Sequence, residues 1–208
     1  MENTWELFQK GGPVMYVLLA CSIAVADIAI ERFRFYRQAG RGASDFVAKL
    51  PSFLKEHDLK QAAELCQTEN TAPAYIAEIG VRAAAAGDDL TLALDTAYAD
   101  MAMRLRERLN YLSMIVTMAP LLGLLGTISG MIESFSIFSV RAGEPLAITG
   151  GIGEALIATA TGLCVAIFSL IVHTYFVQKL DEMLAMLDKA AAAVRNALKK
   201  TGEDGHAA

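Results

Sequence analysis

Cysteine is scarce in this sequence, and the three that occur are far apart, at positions 21, 66 and 164. Because neither a paired framework nor the close spacing of zinc ligands is present, we expect neither a disulfide-stabilised domain nor a zinc site. Basic residues are also few, with 18 lysines and arginines against 23 acidic residues and a net charge of −5. This balance lacks the basic footprint of a nucleic-acid-binding protein. We interpret the cysteines as small buried hydrophobic residues.

Sequence signatures of soluble enzymes are also missing. The chain has no HExxH zinc motif, no P-loop and no GxGxxG stretch after a strand. The segment Thr127-Ile-Ser-Gly130 resembles the end of a GxSxG nucleophile motif but lacks its first glycine. We therefore predict that the protein is not an enzyme and that it uses no cofactor and no metal.

Apolar residues, in contrast, are abundant: they form 54% of the chain and collect in three long runs, over 14–30, 111–140 and 150–177. A helix of roughly 20 apolar residues crosses a bilayer core. The alternative for the first run is a cleavable signal peptide, since Ala24-Val-Ala26 resembles a cleavage site. The acidic segment before the run and the arginines after it argue against this alternative. The sequence thus predicts an all-α integral membrane protein with three transmembrane helices.

Charged residues around the runs predict the topology. Arginines cluster after the first run and again before the second, which places both clusters in the cytoplasm and the N-terminus in the periplasm of a bacterial inner membrane. We interpret five of them as membrane-interface anchors: Arg32, Arg34, Arg104, Arg106 and Arg108. The expected regions are a periplasmic N-terminus (1–12), transmembrane helices (13–31, 111–139 and 151–178), a cytoplasmic helical region (32–110), a periplasmic loop (140–150) and a cytoplasmic C-terminal helix and tail (179–208).

Long helices are expected to extend from the membrane into the cytoplasmic region. Between Leu90 and Pro120 there is no glycine or proline, and the charge pattern fades into apolar sequence without a turn signal. This pattern predicts one helix over 90–138, about 70 Å long at 1.5 Å per residue. Pro51 and Pro73 are expected to limit the helices around them, and Gly87 to end a helix that precedes it.

Small residues recur through the second and third runs. Gly126 and Gly130 form a GxxxG pair, and Ala158, Gly162 and Ala166 form a stripe at a spacing of four. Small side chains let membrane helices approach closely. We therefore predict that these five residues form helix-packing surfaces.

Three polar residues lie inside the same two runs: Thr127, Glu154 and Thr159. An ionisable residue in a membrane span suggests a functional site. The alternative is a structural role, because a carboxylate near the N-terminus of a helix is stabilised by the helix dipole. A threonine hydroxyl can equally bond its own helix backbone. Glu154 and Thr159 are roughly 140° apart around a helix, so we expect Thr159 to share a lumen with Thr127. Glu154 is then expected at a subunit seam or at the pore mouth.

A resemblance gives these residues a context. The stretch APLLGLLGT at 119–127, followed by Gly130, and the stretch EALIATATGL at 154–163 resemble the MotA/TolQ/ExbB proton-channel family, and ExbB most of all. One departure is Phe168, where the family usually has a proline that kinks the helix. The resemblance implies that Thr127, Thr159 and Glu154 match polar residues of the family's pore.

The resemblance also implies partners and a function. It suggests a homo-oligomeric ring, a pentamer in the family, around a single-span ExbD-like protein that carries an intramembrane aspartate. A TonB-like protein would receive the motion and energise outer-membrane import. Three spans and a modest cytoplasmic insert fit ExbB or TolQ better than the four-span flagellar stator. A TolQ-like role in envelope maintenance and a non-conducting membrane scaffold ring are the alternatives.

Overall fold

A computed structural model describes residues 11–56, 59–140 and 145–204. Within these ranges, the structure does not describe the side chains of residues 56, 59–60, 65, 137–140, 145–150, 154 and 199–204. The predicted N-terminal segment 1–12 lies almost entirely outside the described residues, as do 141–144 of the predicted loop and 205–208 of the predicted tail.

Every regular element in the described residues is an α-helix, as the apolar runs and the helical patterns predict. The seven helices, in chain order, are α1 (Val14–Gly40), α2 (Ala43–Glu56), α3 (Leu59–Thr68), α4 (Ala72–Ala86), α5 (Leu90–Arg106), α6 (Leu109–Val140) and α7 (Pro145–Asp204). Three stretches contain a window long and apolar enough to cross a membrane: Val14–Lys55, Leu90–Ser136 and Gly151–Leu198. The fold class predicted from the sequence is therefore confirmed.

The chain divides into two compact units. The first, which we call the span unit, comprises Met1–Ile30 and Arg108–Phe176 and so contains α6 with the first part of α1 and of α7. Its described core is small, with Met15, Leu18 and Ala119 among its buried residues. Many large apolar side chains on its outer surface are exposed, which is the pattern expected of helices that face lipid or other protein chains.

The second unit comprises Glu31–Glu107 and Val177–Ala208. Here α4 packs closely on α5 and α7, because a methyl group added at Gly80 would lie 2.6 Å from Leu94 and 2.8 Å from Val194. Leu94, Val194 and Leu187 are fully buried. This unit thus has an apolar core of its own, unlike the span unit, whose surface carries most of its apolar side chains.

The prediction of a single helix over 90–138 is wrong. Helix α5 ends at Arg106, α6 begins at Leu109, and Arg108 between them has a positive φ of 63°. The sequence has no glycine, proline or turn motif at this point, so local propensity does not indicate the break. Contacts made by residues distant in sequence stabilise it, as described below.

Proline and glycine differ in how well they mark helix ends here. Pro51 was expected to limit a helix but lies inside α2. Pro73 stands in the first turn of α4, where its missing N–H costs nothing. Gly87 ends α4 in the left-handed conformation, as predicted, with φ 78°. Helix α7 begins at Pro145, inside the stretch 140–150 expected to be a loop, and continues to Asp204, within the expected tail.

Candidate functional site

Helices α6 and α7 pack through a seam of small residues in the span unit. A methyl group added at Gly126 would lie 2.6 Å from the Cβ of Ala158, and one at Gly130 would lie 2.9 Å from the Cβ of Ala155. One at Gly162 would lie 2.6 Å from the carbonyl oxygen of Ala119. The structure thus places Gly126, Gly130, Ala158 and Gly162 in one helix–helix contact that larger side chains would not fit.

Ala166, the fifth small residue singled out from the sequence, is buried in an apolar cluster that also contains Met15 and Leu18 of α1. Val165 belongs to the same cluster, and Leu122 of α6 packs against it. In this cluster α1 packs on both α6 and α7.

Thr159 lies at the seam, and its hydroxyl donates a hydrogen bond of 2.8 Å to the carbonyl of Gly123 on α6. Thr127 is one helical turn from Gly123, and its hydroxyl donates a hydrogen bond of 2.7 Å to the carbonyl of Leu124. Both side chains are partly buried. In this arrangement each hydroxyl proton is used by a backbone carbonyl, whereas the oxygen lone pairs stay available to accept.

Thr127 and Thr159 lie close together on neighbouring helices, because the hydroxyl of Thr159 bonds Gly123, one helical turn before Thr127. Successive helical residues turn by about 100°, so Thr127 is roughly 140° from Leu122. Thr159 is roughly 120° from Val165 and roughly 20° from Ala166, and both of these residues belong to the cluster with Met15 and Leu18. On α6, the seam glycines lie between Thr127 and Leu122, which packs against that cluster. We call the face that carries Thr127 and Thr159 the threonine face.

Apolar side chains surround the two hydroxyls on the threonine face. By the same helical period, Met131 of α6 and Leu156 and Leu163 of α7 point to this side, and all three are at least 40% exposed. Glu133 is exposed but is roughly 120° from Thr127 around α6. Among the side chains that the structure describes, none on this face carries a carboxylate.

Glu154, the third residue predicted to line a pore, is part of α7, but its side chain lies outside the described part of the chain. Its role therefore stays a prediction. In the described residues, no group of three His, Cys, Asp or Glu side chains is placed to hold a metal ion.

The five arginines predicted to be interface anchors are not equivalent. Arg34, Arg104, Arg106 and Arg108 are exposed, as an anchor requires. Arg32 is instead 2% exposed in the second unit, so its assignment as an anchor needs correction. It pairs with Glu31 at 2.8 Å, lies 3.7 Å from Glu107 and donates a 3.0 Å hydrogen bond to the carbonyl of Arg104.

Tyr36, one turn after Arg32, completes this contact. Its hydroxyl donates a 2.7 Å hydrogen bond to the carbonyl of Leu105, and burial raises the pKa of this hydroxyl to about 12 despite the opposing charge of Arg32. The last carbonyls of a helix have no partner within the helix, and a cation is favourable at that end. Arg32 and Tyr36 therefore cap α5 where it breaks off before α6.

Sequence reasoning missed part of the seam. Gly123, Ala119 and Ala155 contact the opposing helix as closely as the residues that it selected. The signal was present, because small residues stand at 119, 123, 126, 130 and 134 of α6 with spacings of four, three, four and four. For the buried role of Arg32 no local signal exists.

Comparison with known proteins gives this arrangement a family. The model of the MotA/TolQ/ExbB proton channel family matches residues 67–189, which is more than half of the chain. A putative biopolymer transport protein, ExbB-like 1 from Synechocystis sp., is 33% identical over 190 residues, covering 86% of this chain and 74% of the relative.

Two further relatives are similar over comparable lengths. The putative biopolymer transport protein ExbB homolog of Methanothermobacter thermautotrophicus is 29% identical, covering 88% of this chain and 66% of its own. Biopolymer transport protein exbB1 of Vibrio cholerae is 30% identical, covering 80% of this chain and 76% of its own. Together with the three candidate spans, these matches show that the chain belongs to the MotA/TolQ/ExbB proton channel family.

Proposed function

We propose that this chain is the channel-forming stator subunit of an inner-membrane motor that couples the proton motive force to TonB-dependent import across the outer membrane. The observation that carries the proposal is the threonine face, where Thr127 and Thr159 present hydroxyls among exposed apolar side chains. The family and the names of the ExbB relatives support a proton-channel type of subunit.

The partner we propose is a single-span, ExbD-like protein that supplies an intramembrane aspartate. Proton transfer through a bilayer requires a titratable group, and a threonine hydroxyl does not ionise at neutral pH. The described side chains of the threonine face include no carboxylate, so the acid would come from outside the chain. A homo-oligomeric ring, a pentamer by the resemblance, would bring several threonine faces around the partner helix.

The hydroxyl hydrogen bonds suggest how a charge change becomes motion. With their protons donated to backbone carbonyls, the oxygens of Thr127 and Thr159 can accept a hydrogen bond from a protonated carboxylic acid. A carboxylate would need the hydroxyls to rotate and donate to it instead. Protonation of the partner aspartate would thus change whether that side chain is more stable beside the threonine hydroxyls or beside the apolar side chains. Repeated protonation and deprotonation would drive stepwise motion of the partner. A TonB-like protein would receive this motion.

Topology and the remaining residues follow the sequence-based expectation. We infer an N-terminus in the periplasm and a C-terminus in the cytoplasm, because arginines cluster at one end of the first two runs. Glu154 is proposed at a subunit seam or pore mouth, where a carboxylate at the start of the third span would stay partly hydrated.

The test replaces the two hydroxyls by methyl groups in the double variant Thr127→Val, Thr159→Val. Loss of hydrogen bonds to a charged group, worth about 1.5–3 kcal/mol each, should slow proton-dependent import by at least about tenfold. Thr161→Val is the matched control, since Thr161 bonds its own helix at Ile157 and is roughly 160° from Thr159 around α7.

The readouts separate the alternatives. Import is measured in cells that contain the natural partner, and proton flux in vesicles that contain the purified complex. Unchanged import and flux in an assembled double variant would contradict the pore assignment. Normal import with a detergent-sensitive envelope in a deletion strain would favour a TolQ-like role, and an assembled complex without flux would favour a non-conducting scaffold ring.

A further inference from the structure

Helix α1 carries two exposed arginines just after its apolar part, and a third follows directly after the helix ends at Gly40. Arg34 and Arg37 are three residues apart, which places them roughly 60° from each other around the helix, and Arg41 lies in the turn that follows Gly40. All three are exposed. The family match begins at residue 67, so this cluster lies outside the region that the family model covers.

The three arginines line an open cavity of about 450 Å³ within the second unit. The facing wall is the connection between α3 and α4, which contributes Glu69, Asn70 and Thr71. Gln38 of α1 also lines the cavity. The pocket thus combines three guanidinium groups with neutral amide groups that can donate and accept hydrogen bonds.

The charge in this pocket is not neutralised by the rest of the described chain. No carboxylate of the described residues is within ion-pairing distance of the three guanidinium groups, whereas Arg32 and Arg104 on the same unit each have a carboxylate partner. Glu69 is the one acidic residue among those that line the cavity, which leaves a formal excess of two positive charges. An anion is therefore the ligand that this pocket would stabilise.

The distance of the arginines from the end of the first apolar run indicates where the anion would come from. Ile30 is the last apolar residue of the first run and is 64% exposed. At 1.5 Å per residue, Arg34 is roughly 6 Å and Arg37 roughly 10 Å beyond it. The polar headgroup layer extends roughly 5–8 Å beyond the hydrocarbon on each side, and an arginine side chain can reach back toward it.

We propose that this pocket binds the headgroup of an anionic phospholipid of the cytoplasmic leaflet. Guanidinium groups bind phosphate oxygens in bidentate fashion, and the amides of Gln38 and Asn70 suit the hydroxyls of a glycerol headgroup. The proposal needs the first span to be inserted with Ile30 at its cytoplasmic end. It does not depend on proton conduction, so its test is independent of the test of the proposed channel function.

The experiment uses the full chain, purified in detergent with its natural partner if the two copurify, and titrated with defined lipids. Native mass spectrometry counts the phosphatidylglycerol or phosphatidylcholine molecules retained per subunit. The triple variant Arg34→Gln, Arg37→Gln, Arg41→Gln removes the cluster. The matched control Lys49→Gln, Arg82→Gln, Lys189→Gln removes the same charge from exposed positions that do not line the cavity.

We expect the wild type and the control to retain phosphatidylglycerol in preference to phosphatidylcholine. Each arginine near an anionic headgroup should contribute about fivefold in affinity, so the triple variant should lose more than tenfold. The corresponding triple lysine variant should keep part of the affinity, because the charge remains but the bidentate geometry is lost. Equal thermal unfolding of the wild type and both glutamine variants shows that the fold is intact.

Three results would overturn the proposal. The first is equal retention of the two lipids by the wild type, and the second is an equal loss in the triple variant and the control. The third is displacement of the lipid by millimolar inorganic phosphate with no preference for the lipid-linked form, which would assign the pocket to a soluble phosphate compound.

Discussion

Arg32 and Arg34 are two residues apart and have the same chemistry, yet their environments are opposite. Arg34 is exposed, whereas the side chain of Arg32 is 3% exposed and makes its polar contacts to Glu31, Glu107 and the carbonyl of Arg104. A buried guanidinium is tolerated only when its charge and its N–H groups have partners. Here the partners include the end of α5, so the residue stabilises a helix terminus more than 70 positions away in sequence.

Replacing Arg32 by methionine should lower the free energy of unfolding by about 2–4 kcal/mol, because the α5 terminus loses its cap and Glu31 loses its cation. Chemical unfolding followed by circular dichroism in detergent measures this loss. Arg82→Met is the control: Arg82 is exposed, and its ion-pair partner among the described residues is Glu78 of its own helix. Its loss should therefore stay within about 0.5 kcal/mol. Equal losses in the two variants would refute the capping role.

Cys66 illustrates how burial controls reactivity. The residue is 2% exposed, and burial raises the pKa of its thiol to about 11, with the negative charge of Glu78 adding to the effect. The thiolate is the reactive form. At pH 7.5 a pKa of 11 leaves about 100-fold less thiolate than a pKa of 9 would.

In a Cys21→Ser, Cys164→Ser variant, maleimide labelling of Cys66 should therefore be at least about 100-fold slower in the folded protein than in denaturant at pH 7.5. Because the folded-state pKa is raised, the labelling rate should keep rising tenfold per pH unit between pH 7 and 9. A rise of only about three- to fivefold between pH 8 and pH 9 would indicate an ordinary thiol and would contradict the burial seen here.

At the scale of helices, the seam between α6 and α7 decides how the threonines are presented. The glycines along it allow backbone-to-backbone approach, so the carbonyl of Gly123 comes within hydrogen-bond distance of Thr159. Larger residues would separate the helices and with them the two hydroxyls. Packing of small residues and display of the threonine face are therefore consequences of the same contact.

Gly162→Ala tests this contact. Its added methyl would meet the backbone of Ala119 at 2.6 Å, and a backbone atom cannot move aside as a flexible side chain would. We expect a loss of about 1–3 kcal/mol in stability from overpacking, measured by unfolding in mixed detergent micelles. Gly153→Ala, on the same helix, has nothing within 4 Å and should be neutral or slightly stabilising, since alanine favours helix by up to about 1 kcal/mol. Equal stability of the two variants would exclude close packing at Gly162.

At the scale of the whole molecule, the span unit exposes many large apolar side chains, together with a face that holds two hydroxyls. On the proposal above, this face becomes functional only when several copies and a partner carboxylate meet. The described side chains of the threonine face include no carboxylate, so on this proposal the titratable group comes from the partner.

The purified chain without a partner should therefore be a poor proton conductor. In liposomes with an imposed pH gradient, we expect proton flux near the lipid background for the chain alone and a clear increase when a single-span partner with an intramembrane aspartate is added. A partner variant with asparagine in place of that aspartate is the control and should restore the background. Rapid flux through the chain alone would show that it has its own proton-carrying group, with Glu154 the first candidate.

The sequence by itself determined the all-α class, the three apolar helices, the small residues at spacing four and the family, because each of these depends on composition or on residues close together in the chain. Helix ends that depend on local chemistry, such as the one at Gly87, were predictable for the same reason. The break between α5 and α6, the burial of Arg32 and the hydrogen bond from Thr159 to Gly123 were decided by tertiary structure. Each of these depends on which distant backbone groups come within hydrogen-bond or packing distance, and no local sequence pattern indicates those long-range contacts.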